Sequence, residues 1–145
     1  MAGDKEISVR LAKPEDLAFV SRDDYLSQEV VLRKIQQGEC FVLTVGDQSA
    51  GYLRLEFLWS LVPYIAMVHI LKGYRGKGYS HVLLNFVQAH LRDQGFDVLY
   101  SSSQVDEPEP QAWHRHMGFE ECGVINGINQ GDIGEIFFRK RLSAR

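Results

Sequence analysis

The chain has little cysteine: two residues, Cys40 and Cys122, far apart and without a C-x-x-C pair. Two buried thiols in a reducing compartment are therefore the expectation. Long apolar runs are missing as well. The longest candidate, 57–70, is broken by Ser60, Pro63, Tyr64 and His69, so no segment reaches membrane-spanning length. The opening Met1-Ala2-Gly3-Asp4-Lys5-Glu6 is polar and lacks the apolar centre of a secretory signal, which leaves a cytoplasmic location as the expectation. There is no excess of basic charge. A net charge of −3 gives no general pull toward nucleic acid. The basic clusters are Tyr74-Arg75-Gly76-Lys77-Gly78 and Arg139-Lys140-Arg141, the second expected as a solvated strand end. Repeats, low-complexity segments and linkers are absent, so 145 residues read as one domain, 1–145.

What is present is an ordinary globular mixture, 45% hydrophobic and 24% charged, enough for a buried core. Ile7-Ser8-Val9-Arg10-Leu11 alternates as a strand does. Pro14 with Glu15 and Asp16 opens a short helix, and a second is expected over 27–37 with Gly38 as its C-terminal cap. Strands are expected over 40–45, 50–59 and 64–71, the last apolar enough to be central and covered on both faces. A helix follows over 78–92, where Leu83, Phe86, Val87, His90 and Leu91 fall at helical spacing and Gly95 lies just past the end. A strand over 98–103, a short helix from Pro108 or Pro110 to Gly118, and strands over 119–125 and 133–142 complete the chain. This order predicts an α+β (mixed α/β) fold: a largely antiparallel sheet with helices on both faces and one strand–helix–strand crossover.

The informative junction lies between the 64–71 strand and the 78–92 helix. A helix N-terminus leaves backbone N–H groups unpaired at an electropositive end, a natural phosphate site if nothing blocks the approach. Gly76 and Gly78 leave that approach open, and Arg75 and Lys77 add positive charge. A glycine-rich loop can also be only a turn. Two other phosphate loops fail against the residues. A Walker A loop needs Lys and then Ser or Thr after its last glycine, where Tyr79 and Ser80 follow Gly78. The dinucleotide fingerprint needs a third glycine where His81 stands, and a doubly wound parallel sheet.

Arg75-x-x-Gly78-x-Ser80 resembles the R/Q-x-x-G-x-G/A loop of the GNAT superfamily of acyl-CoA-dependent N-acetyltransferases. Length, element order and the later Gly118-Phe119 corner extend the resemblance over nearly the whole chain, and Ser80 departs from the pattern by one small residue. The resemblance implies a GNAT-like twisted sheet of about six to seven strands and acetyl-CoA as co-substrate, with no metal. Its pyrophosphate would rest on Arg75, Gly76, Lys77, Gly78, Tyr79 and Ser80. Its pantetheine arm would pair with the main chains of Val68 and Ile70, where the central strand diverges from the 98–103 strand. An N–H near Val68 would then stabilise the oxyanion.

The acceptor amine must arrive neutral, so a base or a water chain is required. The family's usual glutamate on the central strand falls at Tyr64, a poor base, and Glu56 is a substitute on the preceding strand; the base stays unassigned. The family's tyrosine acid falls at His114, which either protonates the leaving thiolate or only borders the pocket while water does so. Glu107 stands where relatives start the helix with asparagine. Asp23, Asp24, Tyr25 and Glu29 are either an amine-attracting patch or a solvated helix surface. The expected function is transfer of acetyl from acetyl-CoA to a primary amine of a small molecule or protein, by direct attack in a ternary complex. A CoA-binding or regulatory module that transfers nothing is the alternative, and a nucleotide-binding loop is a third. The expected partners are that amine, without nucleic acid or membrane, and a homodimer is compatible with this reading.

Overall fold

A computed structural model describes residues 5–22 and 25–142. The alternating and apolar runs become seven strands: β1 (Ile7–Leu11), β2 (Cys40–Val45), β3 (Gln48–Leu58), β4 (Val62–Ile70), β5 (Val98–Gln104), β6 (Glu120–Asn129) and β7 (Ile133–Arg141). They form one sheet in the order β1-β2-β3-β4-β5-β7-β6. The ladders β1–β2, β2–β3, β5–β7 and β6–β7 are antiparallel. β4 and β5 pair in parallel at Tyr64↔Tyr100, because the helix between them carries the chain back before β5 starts. This is the α+β, mostly antiparallel arrangement that the element order predicts.

Among the described residues, four helices interrupt the strands: α1 (Leu17–Val20), α2 (Gln28–Gln36), α3 (Tyr79–Asp93) and α4 (Pro108–His116). Ser27 caps α2 by accepting a hydrogen bond from the Val30 N–H, 3.3 Å. The helix expected at Pro14 is a 3-10 turn, Pro14–Asp16, before the single turn of α1. Asp16 tightens that turn by accepting the Lys13 N–H (2.7 Å), and Arg10 holds its carboxylate from β1 (2.7 Å). β6 runs past the expected end at 125. Gly127 sits where the β6–β7 register shifts, and the chain reverses around Gly131 and Asp132, both at positive φ.

The chain divides into two compact units. The first holds the residues up to Leu55 together with Met67–Val87. Its core contains Val20, Val31, Ile35, Cys40, Val42 and Tyr52, with Phe19 edge-on to Tyr52 at 5.6 Å. From α3, Leu83, Leu84 and Val87 are fully buried while Phe86 remains partly exposed. Side chains of this size contribute about 1.5–3 kcal/mol each when buried. The second unit holds Glu56–Ala66 and the residues from Gln88 onward, with Leu91, Leu99, Met117, Phe119, Ile136, Phe138 and Leu142 buried.

Three expectations are corrected here. Cys40 is buried but Cys122 is exposed, since it lies on β6, whose side chains are mostly exposed. Lys140 is not a solvated strand end: its Nζ donates to the Met117 carbonyl at 2.7 Å, and burial, with the Arg92 charge, lowers its pKa. β4 is not covered on both faces, because Ala66, Met67, Val68, His69 and Ile70 are only half-buried. Among the described residues no helix is long and apolar enough to cross a membrane.

Candidate functional site

Beyond Ile70 the chain turns at once. The Leu71 N–H donates to the Ala50 carbonyl (2.8 Å), and the 3-10 turn Lys72–Tyr74 closes with the Tyr74 N–H on the Leu71 carbonyl (2.8 Å). Arg75 then folds back, its Nε donating to the Ile70 carbonyl at 2.8 Å, which ties the loop to the strand end. Gly76 and Gly78 lie at φ +75° and +80°, left-handed backbone that glycine adopts without strain. A Cβ placed on either would meet nothing within 4 Å. Crowding inside the protein therefore does not demand these glycines, and their outer face is open to an external group.

α3 begins at Tyr79, and the Gly78 carbonyl accepts from the His81 and Val82 N–H groups at 3.2 Å. Among the described residues, the N–H groups of Gly76, Lys77, Gly78 and Tyr79 meet no acceptor. Four donors, the positive end of a 15-residue helix and the exposed Arg75 and Lys77 converge on one loop. Oxyanions of a pyrophosphate match that set in charge, and the open glycine backbone matches it in access. Beside the loop, Tyr74 and Tyr79 stand 6.3 Å apart and border a cavity of about 520 Å³ together with Lys5, Ile7, Val45 and Lys77. Val68, Ile70, Arg75, Gly76, Lys77, Gly78, Tyr79 and Ser80 all lie in the first unit, and the Arg75 bond to the Ile70 carbonyl links the loop to the strand.

His114 belongs to the second unit, on α4, and is 4% exposed. Its Nδ1 donates to the Pro110 carbonyl (2.7 Å), so in the neutral ring Nε2 accepts from the Ser101 hydroxyl (2.7 Å). The ring stacks on Phe138 with centroids 4.5 Å apart and planes 9° from parallel. Burial lowers its pKa from 6.5 to about 4, the Pro110 carbonyl opposing and the Arg115 charge adding to that fall. At neutral pH the imidazole is uncharged and both nitrogens are engaged. Glu107 sits at the N-cap of α4 without a side-chain capping bond. Of the acidic patch, Tyr25 is exposed and Glu29 lies 3.8 Å from Arg33 one helical turn on, whereas Asp23 and Asp24 fall outside the described residues.

The residues alone gave no role to Ser102 or Glu135, yet the second unit joins them to Tyr64. The Tyr64 hydroxyl lies 2.5 Å from Ser102 Oγ, which donates to Glu135 Oε2 at 2.6 Å. Glu135 Oε1 accepts from Asn129 Nδ2 at 2.9 Å. These contacts cross β4, β5, β7 and β6, and no local pattern in the sequence announces them.

Comparison with known proteins gives the family and the fold. Residues 10–119 match the model of the acetyltransferase (GNAT) family. Aminoglycoside N(6')-acetyltransferase type 1 of Stenotrophomonas maltophilia is 28% identical, over 79% of this chain and 86% of that protein. Streptothricin acetyltransferase of Streptomyces lavendulae is 30% identical over 59% of this chain, and the match spans 46% of that longer protein. Among solved structures, the ribosomal-protein-S18-alanine N-acetyltransferase of Escherichia coli superposes with a TM-score of 0.79 at 15% identity, covering 97% of this chain and 96% of that one. yncA of Salmonella typhimurium, solved with its cofactor acetyl-CoA, gives 0.79 at 15% identity, covering 96% and 95%. The chain belongs to the acetyltransferase (GNAT) family, the acetyl-CoA-dependent N-acetyltransferases.

Proposed function

We propose that this protein transfers the acetyl group of acetyl-CoA to a primary amine by direct attack, with both substrates bound together. The observation that carries the reading is the loop over 75–80, with open glycine backbone, N–H groups that meet no acceptor and two cationic side chains at the start of α3. Bound there by its pyrophosphate, acetyl-CoA supplies an activated thioester. The main chains of Val68 and Ile70, two half-buried residues of β4, would align the pantetheine arm as an added strand. An N–H at Val68 would meet the thioester oxygen as negative charge develops on it.

The curated relatives are named as acetyltransferases of streptothricin and of aminoglycosides, which favours a small-molecule amine as the acceptor. The observations on His114 weigh against its serving as the acid for the leaving sulfur. A ring that is neutral at pH 7, buried and bonded at both nitrogens has no proton poised for transfer, so water is the better source. The same observation favours a second reading, a module that binds acetyl-CoA and transfers nothing.

One experiment separates the two. The purified chain is incubated with acetyl-CoA and a panel of amines: aminoglycosides, streptothricin, a polyamine, and peptides with free N-termini or lysines. Release of free CoA that depends on one of these amines supports transfer. Tight acetyl-CoA binding with no amine-dependent release supports the binding module.

A further inference from the structure

We infer that the cavity beside the loop is a second ligand site, which takes a small aromatic ring carrying one anionic group and whose filling weakens acetyl-CoA binding. The site stands on the cavity alone, and its effect on acetyl-CoA rests on the proposed acetyl transfer.

The cavity belongs wholly to the first unit, and its volume of about 520 Å³ lies within the usual range for small-molecule sites. Two strands contribute an apolar cross-strand pair, Ile7 on β1 and Val45 on β2. Val45 is buried, whereas Ile7 is 42% exposed and marks the open edge. The loop contributes two half-buried rings, Tyr74 and Tyr79, tilted 42° to each other. Aliphatic and aromatic walls together suit a flat apolar body.

Polar groups border the same space. Among the described residues, no hydrogen bond or ion pair engages the Lys5 and Lys77 ammonium groups or the Tyr74 and Tyr79 hydroxyls. No carboxylate lines the cavity. The Lys5 stem lies over the turn between β2 and β3, its Cδ 3.3 Å from where a Cβ on Gly46 would stand. A side chain at 46 would push that lysine aside. Two unpaired ammonium groups and two hydroxyl donors match one compact anion, a carboxylate or a phosphate ester, on the ring. A triphosphate carries more charge than two lysines neutralise.

The cavity and the proposed acetyl-CoA path use different strands. The pantetheine arm would follow β4, and in the sheet β3 separates β4 from β2. Lys77 is common to both, since it borders the cavity and stands in the loop over 75–80. An anion in the cavity therefore draws on charge that would hold the pyrophosphate, and the two anions repel each other. Each ligand should weaken the other by the same factor.

The test is calorimetric titration of wild type with 2-naphthoate and with 2-naphthyl phosphate, which shows whether a carboxylate or a phosphate ester is preferred. 2-Naphthamide keeps the ring without the charge, and acetate keeps the charge without the ring. Both should bind about tenfold more weakly than the better probe, or weaker still. Lys5→Met keeps most of the stem and removes the charge, and should weaken that probe about fivefold. Ile7→Trp fills the cavity from its open edge and should abolish probe binding. Neither residue belongs to the loop over 75–80, so both variants should bind acetyl-CoA as wild type does; circular dichroism checks their fold. Saturating probe should weaken acetyl-CoA several-fold in wild type and not in Ile7→Trp. Charged probes that bind no better than the amide and acetate would overturn the site, as would unchanged probe affinity in both folded variants. Acetyl-CoA affinity that ignores a bound probe in wild type would overturn the coupling. Wild type that binds the probe but not acetyl-CoA would overturn the acetyl-transfer reading and leave the site standing.

Discussion

Acidification should destabilise the fold through His114, and the size of the effect follows from its surroundings. The folded state holds this imidazole neutral: burial lowers its pKa to about 4, against 6.5 in the unfolded chain. Between those values the unfolded chain binds a proton that the folded chain refuses. The contribution is therefore complete above about pH 6.5, declines as the pH falls, and is gone near pH 4. At about 1.4 kcal/mol for each pH unit, the gap corresponds to roughly 3 kcal/mol. His114→Phe removes the titrating group and leaves the Ser101 hydroxyl and the Pro110 carbonyl without their ring partner, a loss of about 1–3 kcal/mol at pH 7. Urea unfolding at several pH values reads both effects. The wild-type advantage should be largest at pH 7 and should narrow or reverse toward pH 4. Asp16, whose pKa is lowered by its bond to Arg10, loses its contribution only below the ordinary carboxylate value and does so in both proteins. A difference between the proteins that stays constant from pH 4 to 6.5 would refute the reasoning. Turnover of the same variant should stay within a few-fold of wild type at pH 7, where loss of a general acid would cost about a hundredfold.

Other perturbations probe the scaffold around the site. Gly51→Ala would place a Cβ 2.6 Å from Ile70 Cδ1 and 3.0 Å from the His69 carbonyl, so β4 must shift. A stability loss of about 1–3 kcal/mol and weaker acetyl-CoA binding are expected from denaturation and calorimetry. At Gly118, φ is +91° and an added Cβ meets Lys140 Cε at 3.3 Å, so Gly118→Ala should cost about 1–2 kcal/mol in a urea titration. A thiol-reactive reagent should modify the exposed Cys122 in the native protein, and slowly at pH 7, because partial desolvation by its neighbours raises the thiol pKa. Cys40 should react only after unfolding.

Much of this architecture is legible in the chain because its signals are local. β2 spans the expected 40–45, and β1 and β7 begin where alternation begins. Gly38, Gly95 and Gly118 sit at positive φ just past α2, α3 and α4, as caps should. The loop over 75–80 was visible for the same reason, since a glycine pair next to two cations at a strand-to-helix junction is a contiguous pattern. Signals spread over several strands were hidden. Tyr64 and Ser102 are 38 residues apart, Ser102 and Glu135 are 33 apart, and only the register of β5 on β7 brings the last two onto one face. His114 was misleading for a related reason. A polar residue on a short helix suggests an exposed edge, and only the Ser101 hydroxyl on β5 and the Phe138 ring on β7 make a buried site that suits it.

The claim beneath all of this is that acetyl-CoA binds on the open backbone of the 75–80 loop. Calorimetric titration of acetyl-CoA into wild type and Gly78→Val tests it most directly, with ATP as the competing ligand. The Gly78 Cβ position meets nothing within 4 Å inside the protein, so steric room is not what valine would lose. A β-branched residue at φ +80° is strained, so circular dichroism must first show that the variant is folded. The account predicts that wild type binds acetyl-CoA and not ATP, and that a folded Gly78→Val protein binds acetyl-CoA at least tenfold more weakly. Equal affinity in the two folded proteins would contradict it.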